Sequence, residues 1–330
     1  MRPVRPLGLP RSVGVILPTI PWRETAGPVG STQGDTRSPT TGATEALRAV
    51  VAGAEAAGAS GLWACDHLFW HQPLLEPMTA LTVAATASTT ASLGTCVLQL
   101  PLRNPAVVAR QAATLQTLAS GRFVLGLGVG SHRGEYEVAG VDYSRRGRLL
   151  DEGVAVLRRA WAGTDDDRYR LDPPVGHIPI WFAGSSERAM ARAAREGDGW
   201  VPLFVPAAEY AGARGKLLEL AGRSGRDPAS LDTAVVVVLC TGDNVEVARK
   251  SGTSWLADLY DLPPKAFERH LIAGSAEDCA GAVSAYHDAG AAHVIVLIAA
   301  DETLEHLGPL LEALPRPAEP QRTVELGVAP

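Results

Sequence analysis

Short apolar runs alternate with amphipathic helical runs along almost the whole chain, and most apolar runs stop at glycines or polar residues. The clearest instance is Pro101 to Gly140, PLRNPAVVARQAATLQTLASGRFVLGLGVGSHRGEYEVAG. A helix leads into a strand, Phe123 to Leu127, which breaks into Gly126, Gly128 and Gly130 with charged residues straight after. Strand ends of this kind are where α/β enzymes keep their chemistry. The same grammar predicts strands at Val13 to Leu17, Gly61 to Ala64, Leu93 to Leu98, Ile178 to Ala183, Trp200 to Val201, Ala234 to Leu239 and His293 to Leu297. Helices are expected between them, including Glu45 to Ala57, Pro77 to Thr90, Pro105 to Ala119, Arg145 to Trp161 and Ala276 to Ala289, with further helix in an insertion over roughly 245–270. In the Arg145 helix, Leu149, Leu150, Val154, Leu157 and Trp161 recur at helical spacing. Near-continuous apolar strands indicate a parallel sheet buried on both faces. Eight such units fit an α/β fold of the closed (β/α)8 TIM barrel type with insertions, with an open doubly wound sheet as the alternative.

The chain has 330 residues, enough for one barrel of about 250 residues plus insertions. Residues 1–314 are expected to form a single barrel domain, with 315–330 a loose Pro-rich tail. A net charge of −6 argues against nucleic acid or an anionic membrane as the main partner. No run approaches the roughly 20 apolar residues of a membrane span, and MRPVRPLGLPRS has no apolar core of a signal peptide. Cys65, Cys96, Cys240 and Cys279 are widely spaced, without CxxC or a zinc pattern. A reduced, cytoplasmic protein without a metal site is the expectation.

Barrel function lies in the loops after the strands. After the second strand come Asp66 and His67, then Phe69, Trp70 and His71, which could hold a flat heterocycle and move protons. The plainer reading is an Asp helix cap and a surface histidine. After the third strand Gln99 could bond a ligand amide edge, and Asn104 is best placed to cap the helix that starts at Pro105. The loop after Leu127 offers free N–H groups, and its Arg133, Glu135 and Glu137 could simply be solvated. Gly184, Ser185 and Ser186 open a helix, as an anion cradle or a plain serine cap. The strand-end cysteines read best as small buried hydrophobes.

With these residues laid out, the chain resembles the bacterial luciferase-like superfamily, which embraces luciferase-like monooxygenases and F420-dependent oxidoreductases. The matching pieces are GLWACDHLFW at 61–70, LQLPLRNPAVVARQAATLQTLASGRFVLGLGVG at 98–130, RGRLLDEGVAVLRRAW at 146–161 and PIWFAGSSERAMARAAREGDGW at 179–200. The resemblance implies a barrel with a cofactor at the strand ends: coenzyme F420 from the style of LPLRNPAVVARQ, or alternatively FMN. It places Asp66 and His67 near the ring as catalytic residues. Cys96 and Val97 would form a bulge with a cis peptide bond, Gly130 and Ser131 the loop beside the ring, and Gly184, Ser185 and Ser186 the phosphate-binding turn. The implied activity is hydride transfer between deazaflavin and a small organic substrate, with an FMNH2-dependent monooxygenase or a non-catalytic barrel as alternatives. A homodimer and a separate flavin or F420 reductase are the implied partners. Substrate contacts are expected from loop 19–42 and insertion 241–275. Two departures stand out. Sugar-phosphate-oxidising members carry GTGE where this chain has Gly128, Val129, Gly130 and Ser131, so an acid is missing. His71 also stands where a tryptophan is expected, with Trp70 before it.

Overall fold

The computed structural model describes residues 11–20, 39–163, 168, 171 and 174–314. The segment read for a signal peptide, residues 21–38 of the expected substrate loop and the tail 315–330 lie outside the described residues, apart from Arg11 and Ser12. In chain order the main elements are β1 (Ser12–Ile16), α1 (Pro39–Ala56), β2 (Gly61–Ala64), α2 (Pro77–Ala87), β3 (Ser92–Thr95), β4 (Leu98–Gln99), α3 (Pro105–Leu118), β5 (Phe123–Gly128), α4 (Arg133–Val138) and α5 (Arg146–Trp161). Then follow β6 (Ile180–Ala183), α6 (Glu187–Glu196), β7 (Gly199–Val201), α7 (Ala207–Arg223), β8 (Asp232–Thr241), α8 (Val245–Tyr260), β9 (Leu271–Gly274), α9 (Ala276–Asp288), β10 (His293–Ile298) and α10 (Thr303–Ala313).

All strand pairings are parallel, and the order β10-β1-β2-β3-β5-β6-β7-β8 closes on itself because β8 also pairs β10 from Ala234↔His293 to Leu239↔Ile298. The expected closed (β/α)8 barrel is therefore the fold, and the open sheet is excluded. Outward strand residues such as Leu62, Ala64, Leu93 and Leu125 pack with the helices. Inward residues, among them Ile16, Trp63, Val124, Trp181, Val236 and Ile295, form a second core inside the barrel.

Three elements depart from the sequence reading. The third strand is not continuous: after Thr95 the chain turns through a cis Cys96–Val97 peptide bond before β4 pairs Leu98↔Leu127 and Gln99↔Gly128. The cis bond lies where the resemblance put it. The insertion after β8 ends in an unexpected strand, β9, which takes the edge of β8 that β7 leaves. β7 pairs β8 at Asp232 and Thr233, and β9 pairs it at Val238 to Thr241. Finally, the charged loop after β5 folds into the short helix α4. Asn104 caps α3 as expected, its Oδ1 accepting from Ala106 and Val107 N–H.

Candidate functional site

At the carboxyl ends of the strands lies a cavity of about 460 Å3, within the roughly 300–1,000 Å3 range of small-molecule sites. Its wall brings together Asp66, His67, Cys96, Val97, Gln99, Gly130, Ser131, Gly184 and Ser185. Trp70 also lines it, whereas Phe69, His71 and Ser186 stand back from it. A second, apolar cavity of about 330 Å3 between β1, α1 and α10 holds none of them.

His67 is built into a network. Its Nδ1 lies 3.0 Å from Glu135 Oε2, and since a carboxylate only accepts, the proton sits on Nδ1 and leaves Nε2 free. The imidazole stacks on Trp70 with ring centroids 3.9 Å apart, so position 70 supplies the tryptophan missing from position 71. Trp70 Nε1 donates to the Leu259 carbonyl, and His71 Nε2 and Gln72 Nε2 donate to the Asp258 carbonyl. These bonds satisfy open carbonyls at the end of α8 and lash the β2 loop to it.

Glu135 is the site residue that sequence reading missed. It is not a solvated loop residue: α4 turns its carboxylate inward, where the side chain is 1% exposed. Oε1 accepts the N–H groups of Leu68 and Phe69, at 2.5 and 3.2 Å, and Oε2 also accepts from Gln99 Nε2. Burial alone would raise its pKa, but the bond and charge of His67 and the two N–H donors outweigh it and hold the carboxyl below its usual value. Four residues after Ser131, this acid meets His67 from behind rather than the cavity itself. The one signal in sequence was its acidic character beside a glycine-rich strand end.

Asp66 does not cap a helix and does not present its carboxylate to the cavity. Arg103 grips it through two bonds of 2.6 and 2.7 Å, and Gln99 N–H donates to Oδ2 at 2.8 Å. Burial pushes the carboxyl's pKa up, and the guanidinium and the N–H oppose that. Gln99 is fixed in turn, its Nε2 donating to the Asp66 carbonyl at 3.0 Å. Its Oε1 is buried without a hydrogen-bond partner among the described residues. Gly130, at φ +68°, leaves the space that this oxygen occupies, since a Cβ there would stand 1.8 Å from it. Gly128 likewise makes room for Val97, 2.6 Å from where its Cβ would be.

At the head of α6, Gly184 turns with φ +103° and its carbonyl accepts from Trp200 Nε1. Ser186 caps the helix through Ala189 N–H, the plainer of its two readings. Glu187 occupies the first turn, its side chain 77% exposed and 3.7 Å from Lys216. One strained residue also lines the cavity: Phe204 has φ +59°, costing a bulky side chain on the order of 1–3 kcal/mol. Among the described residues no group of three or more His, Cys, Asp or Glu could hold a metal ion. Among those same residues no helix is long and apolar enough to cross a membrane.

A closed parallel barrel with a strand-end cavity and a buried carboxylate–imidazole pair beside it has the parts of a barrel enzyme. The profile of the family described as "Luciferase-like monooxygenase" matches residues 26–252, and the chain belongs to that family. A curated relative is the phthiodiolone/phenolphthiodiolone dimycocerosates ketoreductase of Mycobacterium tuberculosis, 33% identical over 198 residues, which are 54% of this chain and 51% of that protein. The chain thus spans about half the length of the curated relatives it matches. An F420-dependent secondary alcohol dehydrogenase, solved with an F420-acetone adduct, superposes with a TM-score of 0.75 at 18% identity, covering 93% of this chain and 98% of its own. The FMN-bound oxygenating constituent of 3,6-diketocamphane monooxygenase from Pseudomonas putida gives 0.66 at 15%, covering 92% and 95%. At these identities the two structures share the fold.

Proposed function

We infer that the chain is an oxidoreductase that moves a hydride between coenzyme F420 and a small ketone or secondary alcohol. The observation that carries this reading is the His67–Glu135 pair at an apolar strand-end cavity. The cavity fits a flavin or deazaflavin. Its wall is mostly apolar, with Cys96, Val97, Gly130 and Ser131 along one side, and its volume suits the flat ring of either cofactor. Cys96, Val97, Gly130 and Ser131 would meet the ring, and N–H groups from Gly184 to Ser186 would meet the phosphate. Glu187 in the same turn opposes an anion, so the turn's grip would rest on these N–H groups.

When bound, the reduced cofactor supplies the hydride equivalent. His67 Nε2, the nitrogen that Glu135 leaves free, takes the proton from the substrate oxygen when an alcohol is oxidised and, once protonated, returns it when a ketone is reduced. Asp66 acts as a positioning residue: with Arg103 it fixes Gln99 and the loop that carries His67. The ketoreductase relative and the alcohol dehydrogenase neighbour support the carbonyl–alcohol pair. All four cysteines are free, which supports a reducing, cytoplasmic compartment. A homodimer and a separate F420 reductase complete the reading.

Titration with F420 and with FMN, read by quenching of tryptophan fluorescence, tests it. F420 is expected to bind near micromolar, about −8 kcal/mol, and more tightly than FMN. Tight FMN with no F420 binding would move the chain to FMNH2-dependent monooxygenation. Binding of neither would make it a non-catalytic barrel.

A further inference from the structure

Two cavity residues, Cys65 and the ring-side Cys96, carry thiol groups that have no chemical role in that reading. β2 and β3 run parallel in the register Ala64↔Thr95, and Cys96 N–H donates to the Ala64 carbonyl at 2.8 Å. Cys65 and Cys96 are the next residue on each strand, so they stand side by side. Side chains alternate along a strand, and here Trp63 and Gly94 point into the barrel, with Trp63 ring atoms 2.2 Å from where a Gly94 Cβ would lie. Two residues on, Cys65 and Cys96 point inward again, and both line the cavity. Each is free, and each is partly exposed to it.

We propose that Cys65 and Cys96 form a dithiol site that captures a trivalent organoarsenical and thereby occupies the floor of the cavity. Neighbouring strands lie about 4.8 Å apart, which lets one arsenic bridge both sulfurs. The chemistry of the cavity selects this class of ligand. Burial pushes the Cys65 thiol up to about 12, with the Asp66 charge adding to it. Burial, then the Cys65 charge, raises Cys96 well above its usual value. Peroxide and alkylating reagents need the thiolate, so the pair resists them at neutral pH. A soft metal cation takes both sulfurs as thiolates and must drive two protons out to bulk water. An arsenoxide needs neither. Two S–H bonds and one As=O bond break, two As–S bonds form, and the two protons leave with the oxygen as one water. Arsenic stays trivalent, no oxidant takes part, and a neutral product replaces neutral thiols.

Cys240 and Cys279 form a second neighbouring pair, since the Cys240 charge adds to the burial that lifts Cys279 to about 12. They are away from the cavity and fully buried or nearly so, and they serve as the control. The probe is phenylarsine oxide on the full chain, read by native mass and by maleimide labelling after unfolding in urea, which exposes every thiol that arsenic does not hold. The expected result is one arsenic and two protected thiols, both in the wild type and in Cys240→Ser/Cys279→Ser. Cys65→Ser and Cys96→Ser each lose the second As–S bond, which is formed intramolecularly, so affinity should fall at least about hundredfold. Should either serine variant fail to fold, the alanine variant at that position takes its place. No capture by the wild type, or capture retained without Cys65 or Cys96, overturns the proposal. The readout counts thiols, so it stands or falls apart from cofactor binding.

Discussion

His67 depends on a carboxylate 68 positions away in the chain. Nothing local announces that pairing, because it is made when α4 folds over the end of β5 and meets the β2 loop. The same contact sorts the roles of two acids. Asp66, adjacent to the histidine, is bound up with Arg103, while Glu135 faces it. If His67 handles a proton, His67→Ala should lower kcat about 10²–10⁴-fold, roughly 3–5 kcal/mol, with little change in cofactor Kd. Glu135→Gln turns an N–H group toward positions that hold only donors. It should therefore cost about 1–3 kcal/mol of stability as well as activity. Steady-state kinetics beside cofactor titration and urea melts separate these outcomes. A His67→Ala enzyme that keeps its kcat removes the imidazole from the reaction.

Among the elements, the strands bounded by glycines and helix ends were the most legible part. Gly61–Ala64 and the start of β5 at Phe123 stand as expected, because apolar runs between glycines and helix caps mark them directly. β9 was not legible, since Leu271–Gly274 is short and half buried and owes its pairing to an edge that β7 vacates. The break in the third strand was illegible from periodicity, because the pattern Leu93 to Leu98 stays apolar across it. It followed only from the resemblance. One tie between elements carries a pH signature. Glu55 at the end of α1 accepts the N–H groups of Thr89, Thr90 and Ala91 and the Thr90 hydroxyl, holding the turn before β3. Burial tends to raise this carboxyl, yet those bonds win and lower it from 4.5 to about 2. A carboxyl depressed in the folded state stabilises fully above its unfolded pKa and loses that effect as pH falls through the folded value. The contribution is thus whole above about pH 4.5 and drains toward pH 2. Solvent screening at this partly exposed site brings it to about 1 kcal/mol. Urea midpoints of the wild type and Glu55→Gln should differ most above about pH 4.5, and the gap should narrow steadily as pH falls toward 2. A constant gap would assign the effect to packing.

At the scale of the whole molecule, the cavity rests on a barrel plugged by two tryptophans. Trp63 and Trp181 stack with centroids 5.1 Å apart, and Trp181 leans on His293. Below them His293 bonds Ser12 Oγ at 2.6 Å and stands 3.4 Å from Asp232, at the amino-terminal face where barrels keep stability rather than chemistry. Rings this large fit only because glycines back onto them. A Cβ at Gly94 would come 2.2 Å from Trp63 Cζ3, and one at Gly199 would come 2.5 Å from Trp181 Cδ1. Gly94→Ala must therefore push the Trp63 ring toward Trp181 or spread β2 from β3, an overpacking cost of about 1–3 kcal/mol. Gly281→Ala is the matched control: its Cβ meets nothing within 4 Å on α9, so it should be neutral or stabilise by up to about 1 kcal/mol. Trp63→Phe removes the second ring, whose atoms meet the new Cβ. In the Gly94→Ala background it should cost less than it does alone, a negative coupling in a double-mutant cycle. Because Cys65 and Cys96 sit one layer above Trp63, the displaced ring should also lower cofactor affinity in Gly94→Ala. Thermal melts and fluorescence titration of the four chains measure both effects. Additive costs with unchanged affinity would show that the plug and the cavity floor are not mechanically joined.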